Sequence, residues 1–412
     1  MALYESLSRE EMQKLHAKSL LEYDRLKGLG LALDMSRGKP GADQLDLSAG
    51  LLNILDADDF KAIDGADCRN YGGIDGIPEM KMLFSDIMEV SKDEVLVGAN
   101  SSLTLMYESI IALTGRGSKR KFLCPAPGYD RHFTITEYLG FDLISIPMTP
   151  AGPDMDAVRE AVKDPSVAGI WCVPVYSNPQ GVVYSDDTIK EMAALKPAAK
   201  DFRIFWDNAY IVHALNGKPP KRLNLLKECE KQNAYDMALM FTSFSKVTFP
   251  GAAVCAMAAS PANLNIMRKH LIVQSIGPDK LNQLRHARFF KNSDEAFVHM
   301  EKHAAILRPK FKTVLDVLDA KLAGKGIGFW MNPEGGYFIP FDTLPGCAAR
   351  TVTLCAEAGL IMTAAGATYP YGRDPQDSNI RIAPTFPALD QLKQAMELFC
   401  TAVELTALEK MI

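Results

Sequence analysis

The sequence predicts an α/β protein of two domains, a large one built on a mostly parallel seven-stranded sheet and a smaller α+β one. Three observations lead there. At 412 residues the chain exceeds the usual size of a single hydrophobic core, so a division is expected. Seven short apolar runs between Glu94 and Ala258 alternate with helical patterns, as parallel strands joined by crossover helices require. Beyond about residue 290 this alternation gives way to long helical stretches. The boundaries follow: residues 1–45 as an N-terminal helix and loop packing with the small domain, 46–290 as the large domain, and 291–412 as the small C-terminal domain.

From residue 8 to about residue 26 the spacing predicts a helix, opened by a capping box of Ser8 and Glu11. Its apolar positions are Met12, Leu15, Tyr23 and Leu26, and Gly28 stops it. The segment Ser36-Arg37-Gly38-Lys39-Pro40 fits neither period and reads as a loop carrying two cations. The seven apolar runs are EVLVG, KFLCP, DLISIPM, AGIWCVPV, RIFWD, ALMFTS and AAVCAMA. Continuous hydrophobicity, rather than strict alternation, predicts strands covered by helices on both faces. After residue 290 come one long helix over about 293–322, the strands GIGFW and GGYFIPF, a helix over about 348–358, the strand NIRIAP and a terminal helix. Gly326-Ile327-Gly328 reads as a hairpin turn. No internal repeat or low-complexity tract is present.

The hydrophobic share of 48% and charged share of 23% are those of an ordinary globular protein. A net charge of −5 argues against a broad phosphate-neutralising surface, so no nucleic-acid partner is expected. No stretch approaches the roughly 20 apolar residues needed to span a bilayer. The N-terminal segment, residues 1–14, is acidic and polar rather than signal-like, which points to a cytoplasmic protein. Eight scattered cysteines without a Cys-x-x-Cys pair predict buried free thiols. His299 and His303, in HMEKH, are expected on a solvated helix face, with no metal site.

The informative residues are polar ones placed just after buried strands: Asn178 in SNPQG, Asp207 and Tyr210 in FWDNAY, and Ser243 and Lys246 in TSFSK. Alone, any of them would be an ordinary solvated strand cap. Together they sit where α/β folds collect their sites, at the carboxyl ends of strands.

With the segment YGGIDGIPEMK and the arginine in NIRIAP, these motifs resemble the fold-type-I pyridoxal-phosphate enzymes of the class I aminotransferase family, from Tyr71 to Arg381. The pattern as a whole looks most like a bacterial aspartate-aminotransferase branch. The resemblance implies pyridoxal 5′-phosphate as cofactor, a homodimer, and a role for each residue. Lys246 supplies the amine that bonds the cofactor and later moves the substrate's α-proton. Asp207 pairs with the ring nitrogen, while Asn178 and Tyr210 hydrogen-bond the phenolic oxygen. The phosphate sits against Ala99, Asn100 and Ser101, where backbone amides converge before a helix, and Ser243 adds a hydroxyl. Tyr129 covers the ring face, with Phe133 as a fallback, and Tyr71 reaches in from the partner subunit. One position departs from the pattern: Val254 stands eight residues after the lysine, where the best-known members have a phosphate-binding arginine.

Arg381 matches the arginine that grips the substrate's α-carboxylate, a task for which its forked guanidinium is suited; Gly38 lends its backbone beside it. The expected reaction is transfer of the amino group from L-aspartate to 2-oxoglutarate. The second carboxylate of these substrates needs a further cation. The candidates are Arg37, Lys39 and Lys280, with Arg37 favoured and Lys39 directed to solvent. Three other readings remain open at this stage: another amino-acid substrate, a lyase or decarboxylase on the same scaffold, and a regulator-like protein, here without a DNA-binding module. A nicotinamide-dependent oxidoreductase is disfavoured because no strand is followed by Gly-x-Gly-x-x-Gly and a downstream acid.

Overall fold

Ser8 caps the first helix as expected: its hydroxyl accepts from the Glu11 amide, and the Glu11 carboxylate accepts from the Ser8 amide at 2.8 Å. The helix runs Arg9–Lys27, burying Tyr23 and Leu26 against the C-terminal helix Leu389–Met411. The computed structural model describes residues 4–412 apart from residues 116 and 118, so the first three residues of the acidic N-terminal segment lie outside it.

Strand β1 is Leu33–Met35. The large sheet comprises β2 (Val95–Val97), β3 (Lys121–Ala126), β4 (Asp142–Thr149), β5 (Gly152–Pro153), β6 (Val167–Cys172), β7 (Arg203–Asp207), β8 (Ala238–Ser243) and β9 (Cys255–Ala259). Their order is β2-β9-β8-β7-β6-β3-β4-β5. The run β8-β7-β6-β3-β4 is parallel, whereas β9 is antiparallel to both its neighbours. All seven apolar runs therefore form strands of one sheet. The eighth strand, β5, is two residues containing a proline, too short to leave an apolar signal. Strands β6, β8 and β9 are buried at every position, as helices on both faces demand, but β4, next to the edge strand, has only Leu143 and Ile146 buried.

The second unit is organised by the long helix Ser293–Leu322, whose Leu307, Phe311, Val314 and Leu318 enter one core with Leu392, Met396 and Phe399. Beside it lie β10 (Gly328–Trp330), β11 (Ile339–Thr343) and, after the helix Ala348–Glu357, β12 (Leu360–Met362) and β13 (Asn379–Ile382). The antiparallel sheet β10-β11-β13 places Arg381 opposite Pro340. The N-terminal β1 pairs in parallel with β12, which brings the loop after Met35 beside β13's unit. Gly326-Ile327-Gly328 is not a hairpin turn: it leads from the long helix into β10, and the β10–β11 connection lies further on.

All eight cysteines are free and buried. The expectation for His299 and His303 is overturned, since both are buried rather than solvated. Their i, i+4 spacing looked like an exposed face because the groups they meet are far away in sequence. His299 Nε2 lies 2.9 Å from the Val247 carbonyl and 3.1 Å from His303 Nε2, and His303 Nδ1 lies 3.1 Å from Gln44 Nε2. Among the described residues no cluster of three or more His, Cys, Asp or Glu could hold a metal.

Burial lowers the pKa of both histidines, that of His303 from 6.5 to about 4. In the unfolded chain these rings take protons near pH 6.5, whereas the folded protein holds them neutral, so acid favours unfolding. Stability is therefore expected in full above pH 6.5 and to fall as the pH drops from 6.5 to 4, by roughly 3 kcal/mol for His303. Urea midpoints measured across that range check this, and His303→Gln should flatten the dependence.

Candidate active site

Lys246 follows β8 in the turn after Ser243, and its Nζ lies 5.0 Å above the Tyr210 ring and 5.9 Å from that of Tyr337. Burial lowers its pKa; the Asp207 charge opposes this, and that of Arg381 adds to it. A lysine so placed is more readily a free amine than one in water. Its own carbonyl accepts from Tyr337 Oη at 3.3 Å, and Tyr337 Oη accepts from Gln44 Nε2 at 3.0 Å. The histidine pair holds the next carbonyl, so the turn is fixed from beneath by the long helix.

Asp207 ends β7 and is buried. Its Oδ1 accepts from the Ala209 amide at 3.1 Å, and its Oδ2 lies 3.0 Å from His132 Nε2. His132 is buried and stacks on Trp171 at 4.3 Å with planes 8° apart. Nothing in the sequence separated this histidine from an ordinary helix residue, though it stands three places after Tyr129. Tyr129 meets it edge-on at 4.9 Å, and burial raises the phenol's pKa above its ordinary range. Phe133, by contrast, packs into the core with Leu139 and Phe141, which leaves Tyr129 as the ring-covering candidate. Tyr210 is buried too, and burial pushes its phenol pKa well up.

Asn178 and Arg381 come together across the two sheets: Arg381 Nη1 donates to Asn178 Oδ1 at 3.2 Å and to Asp130 Oδ1 at 3.0 Å. Its guanidinium lies 4.8 Å from the Phe338 ring centroid, and a Cβ on Gly38 would come within 2.5 Å of that ring. Glycine is required at 38 for this approach. Thr363 joins loop and arginine, accepting from Arg381 Nη2 at 3.4 Å and donating to the Ser36 carbonyl at 2.7 Å. Neither Phe338, Thr363 nor Asp130 carried a sequence signal.

The loop 99–101 lies between β2 and the helix Ser102–Ser109. Cys255 N donates to the Ala99 carbonyl at 2.8 Å, and Ser245 Oγ to that of Asn100 at 3.1 Å. Ser243 Oγ in turn donates to Ser245 Oγ at 3.1 Å, so the predicted serine and the predicted loop adjoin. Val254 is buried among Phe244, Val247 and Ala253.

Tyr71 is not brought to these residues; it is 81% exposed. Its loop is pinned by Lys280, whose Nζ donates to the Asn70 and Gly72 carbonyls at 2.7 Å each. Lys280 is thereby committed to backbone. Lys39 sits 3.5 Å from Asp34 and 3.9 Å from the Phe386 ring centroid. Arg37 is exposed and makes no ion pair among the described residues.

A lysine amine and a buried carboxylate thus lie at the carboxyl ends of strands, the place where α/β folds collect small-molecule sites, and the buried guanidinium of Arg381 is bonded to Asn178. The chain belongs to the aspartate amino-transferase family, whose model matches residues 7–412. It is 43% identical over 411 residues to an aspartate aminotransferase of Corynebacterium glutamicum, covering 97% of this chain and 95% of that one. A crystal structure of an aspartate transaminase from the same organism superposes with a TM-score of 0.97 at 42% identity, over 100% of both chains. An α-aminoadipate aminotransferase of Thermus thermophilus, solved with N-(5′-phosphopyridoxyl)-L-leucine, shares the fold at a TM-score of 0.76 and 19% identity, over 98% of this chain and 100% of that one. The fold is accordingly that of the pyridoxal-phosphate-dependent transferases of fold type I, and the protein is an aminotransferase.

Proposed function

We propose that the enzyme uses pyridoxal 5′-phosphate to transfer the amino group of L-aspartate to 2-oxoglutarate, working as a cytoplasmic homodimer. The observation that carries this reading is Lys246 Nζ lying 5.0 Å from the buried Tyr210 ring, just after the strand that pairs with the one ending in buried Asp207, with buried Arg381 bonded to Asn178. The donor set suits the cofactor. Asp207 is a buried acceptor for a ring N–H, Lys246 an amine for its aldehyde, and Tyr210 a phenol beside that amine. Asn178 accepts from Arg381 through Oδ1, which leaves its amide nitrogen to donate to the phenolic oxygen. The amides of Ala99, Asn100 and Ser101 with the Ser243 hydroxyl suit a phosphate at the start of a helix, and Tyr129 suits the ring face.

When bound, the cofactor supplies a sink for the electrons left at the substrate's α-carbon. Lys246 Nζ takes the α-proton, a task for which its lowered pKa prepares it. Arg381 holds the α-carboxylate, with Phe338 beneath the guanidinium and Gly38 making room for that ring. With the cofactor bound, water supplies the oxygen of the departing 2-oxo acid, the amino group stays behind on the cofactor, and the second 2-oxo acid takes that group and gives back one water.

The division at residues 45 and 290 belongs to the same reading, and domain closure over the substrate would exclude water. Free buried cysteines agree with a reducing compartment, and among the described residues no helix is long and apolar enough to cross a membrane. The dimer is proposed because Tyr71 is exposed on a pinned glycine loop, away from its own chain's lysine. Mixing inactive Tyr71→Phe and Lys246→Ala proteins is then expected to restore part of the activity through hybrid sites. No recovery despite demonstrated subunit exchange counts against a shared site.

For the distal carboxylate, Lys280 and Lys39 have partners and Arg37 is uncommitted, so Arg37 is assigned the role. A buried carboxylate without a cation is costly. Arg37→Ala is expected to lower kcat/KM for aspartate by roughly 10–100-fold, about 1.4–2.7 kcal/mol, while leaving alanine within about twofold. Equal loss with both amino acids would assign Arg37 elsewhere.

A further inference from the structure

We propose that Asp130 is an internal counter-ion of Arg381 that the incoming carboxylate displaces, so that its charge limits how tightly carboxylates bind. The inference rests on Arg381 being the carboxylate site. Arg381 is 5% exposed, and a guanidinium so buried needs an anion when substrate is absent. Asp130 provides one at 3.0 Å.

The partners of Arg381 differ in kind. Asn178 and Thr363 are neutral and buried, and Thr363 is held by its bond to the Ser36 carbonyl. Asp130 is the charged one, and at 31% exposed it also reaches water. It opens the helix Asp130–Tyr138, directly after the ring candidate Tyr129. A substrate arriving from solvent therefore meets the guanidinium on the side that Asp130 covers.

The guanidinium is also under-used. Of its five N–H groups, the two on Nη1 go to Asp130 and Asn178, one on Nη2 reaches Thr363 at a long 3.4 Å, and Nε is buried without a partner among the described residues. A carboxylate taking two parallel bonds would satisfy it better than Asp130 does through one. Two carboxylates against one cation repel each other, so Asp130 turns to water as the substrate seats. No covalent step is involved.

The test titrates the holoenzyme with succinate, which has no amine to react, by calorimetry at pH 7 and low ionic strength. Asp130→Asn keeps the size and the acceptor oxygen of the side chain and removes only its charge; Asp130→Ala is the second variant, and Arg381→Lys the control. The expected result is succinate binding about tenfold tighter in both Asp130 variants, about 1.4 kcal/mol, and weaker binding in Arg381→Lys. Unchanged or weaker binding in Asp130→Asn, with Arg381→Lys still weakened, would overturn the proposal and make Asp130 a residue that merely orients the arginine. Unchanged binding in Arg381→Lys would instead remove the carboxylate reading of Arg381, and the proposal with it.

Discussion

Lys246→Ala is expected to lower kcat/KM by about 10⁴-fold or more, the upper range for a positioned proton-transfer group, since the same amine also bonds the cofactor. Of the other lysines weighed for a role, Lys280 is committed to the Asn70 and Gly72 carbonyls and Lys39 to Asp34 and Phe386. The visible absorbance of the bound cofactor should vanish with the activity. A variant keeping more than about 1% of wild-type turnover would show that another group moves the α-proton. The protein should nonetheless remain folded, because the turn is held through main-chain carbonyls by Tyr337 and His299.

Asp207→Asn is expected to cost roughly 10²–10³-fold in kcat, the usual effect of removing one preorganised electrostatic contact from a buried site. The amide is nearly the same shape, so the loss measures charge rather than packing. It carries a second signature. The Asp207 carboxylate favours the ammonium form of Lys246, against the effect of burial. Removing that charge should lower the lysine pKa further, which moves the acid limb of any step needing the free amine to lower pH. A pH–rate profile whose acid limb stays in place or moves to higher pH would contradict the assigned coupling.

The strands were legible because continuous apolar runs such as ALMFTS and AAVCAMA have one stable use, as strands buried on both faces. Their polar successors were legible for a related reason: Asn178, Asp207 and Lys246 each interrupt an apolar run at a strand's carboxyl end. What stayed hidden depends on partners remote in sequence. The β1–β12 pair is three residues long on each side, too short for a period. His299 and His303 looked solvated because local spacing cannot show that Val247 and Gln44 cover them. His132 and Thr363 carry no motif, and their importance comes from Asp207 and Arg381, 75 and 18 residues away. Asp130 carried no signal either, since its bond to Arg381 spans 251 residues.

The central claim is that Lys246 holds the cofactor, and borohydride reduction followed by peptide mass mapping tests it most directly. Reduction fixes the lysine–cofactor linkage, so digestion should release one modified peptide, the one containing Ser243 and Lys246, its mass increased by a reduced phosphopyridoxyl group. A modified peptide around any other lysine, or no modified peptide from protein that is active, would contradict the account.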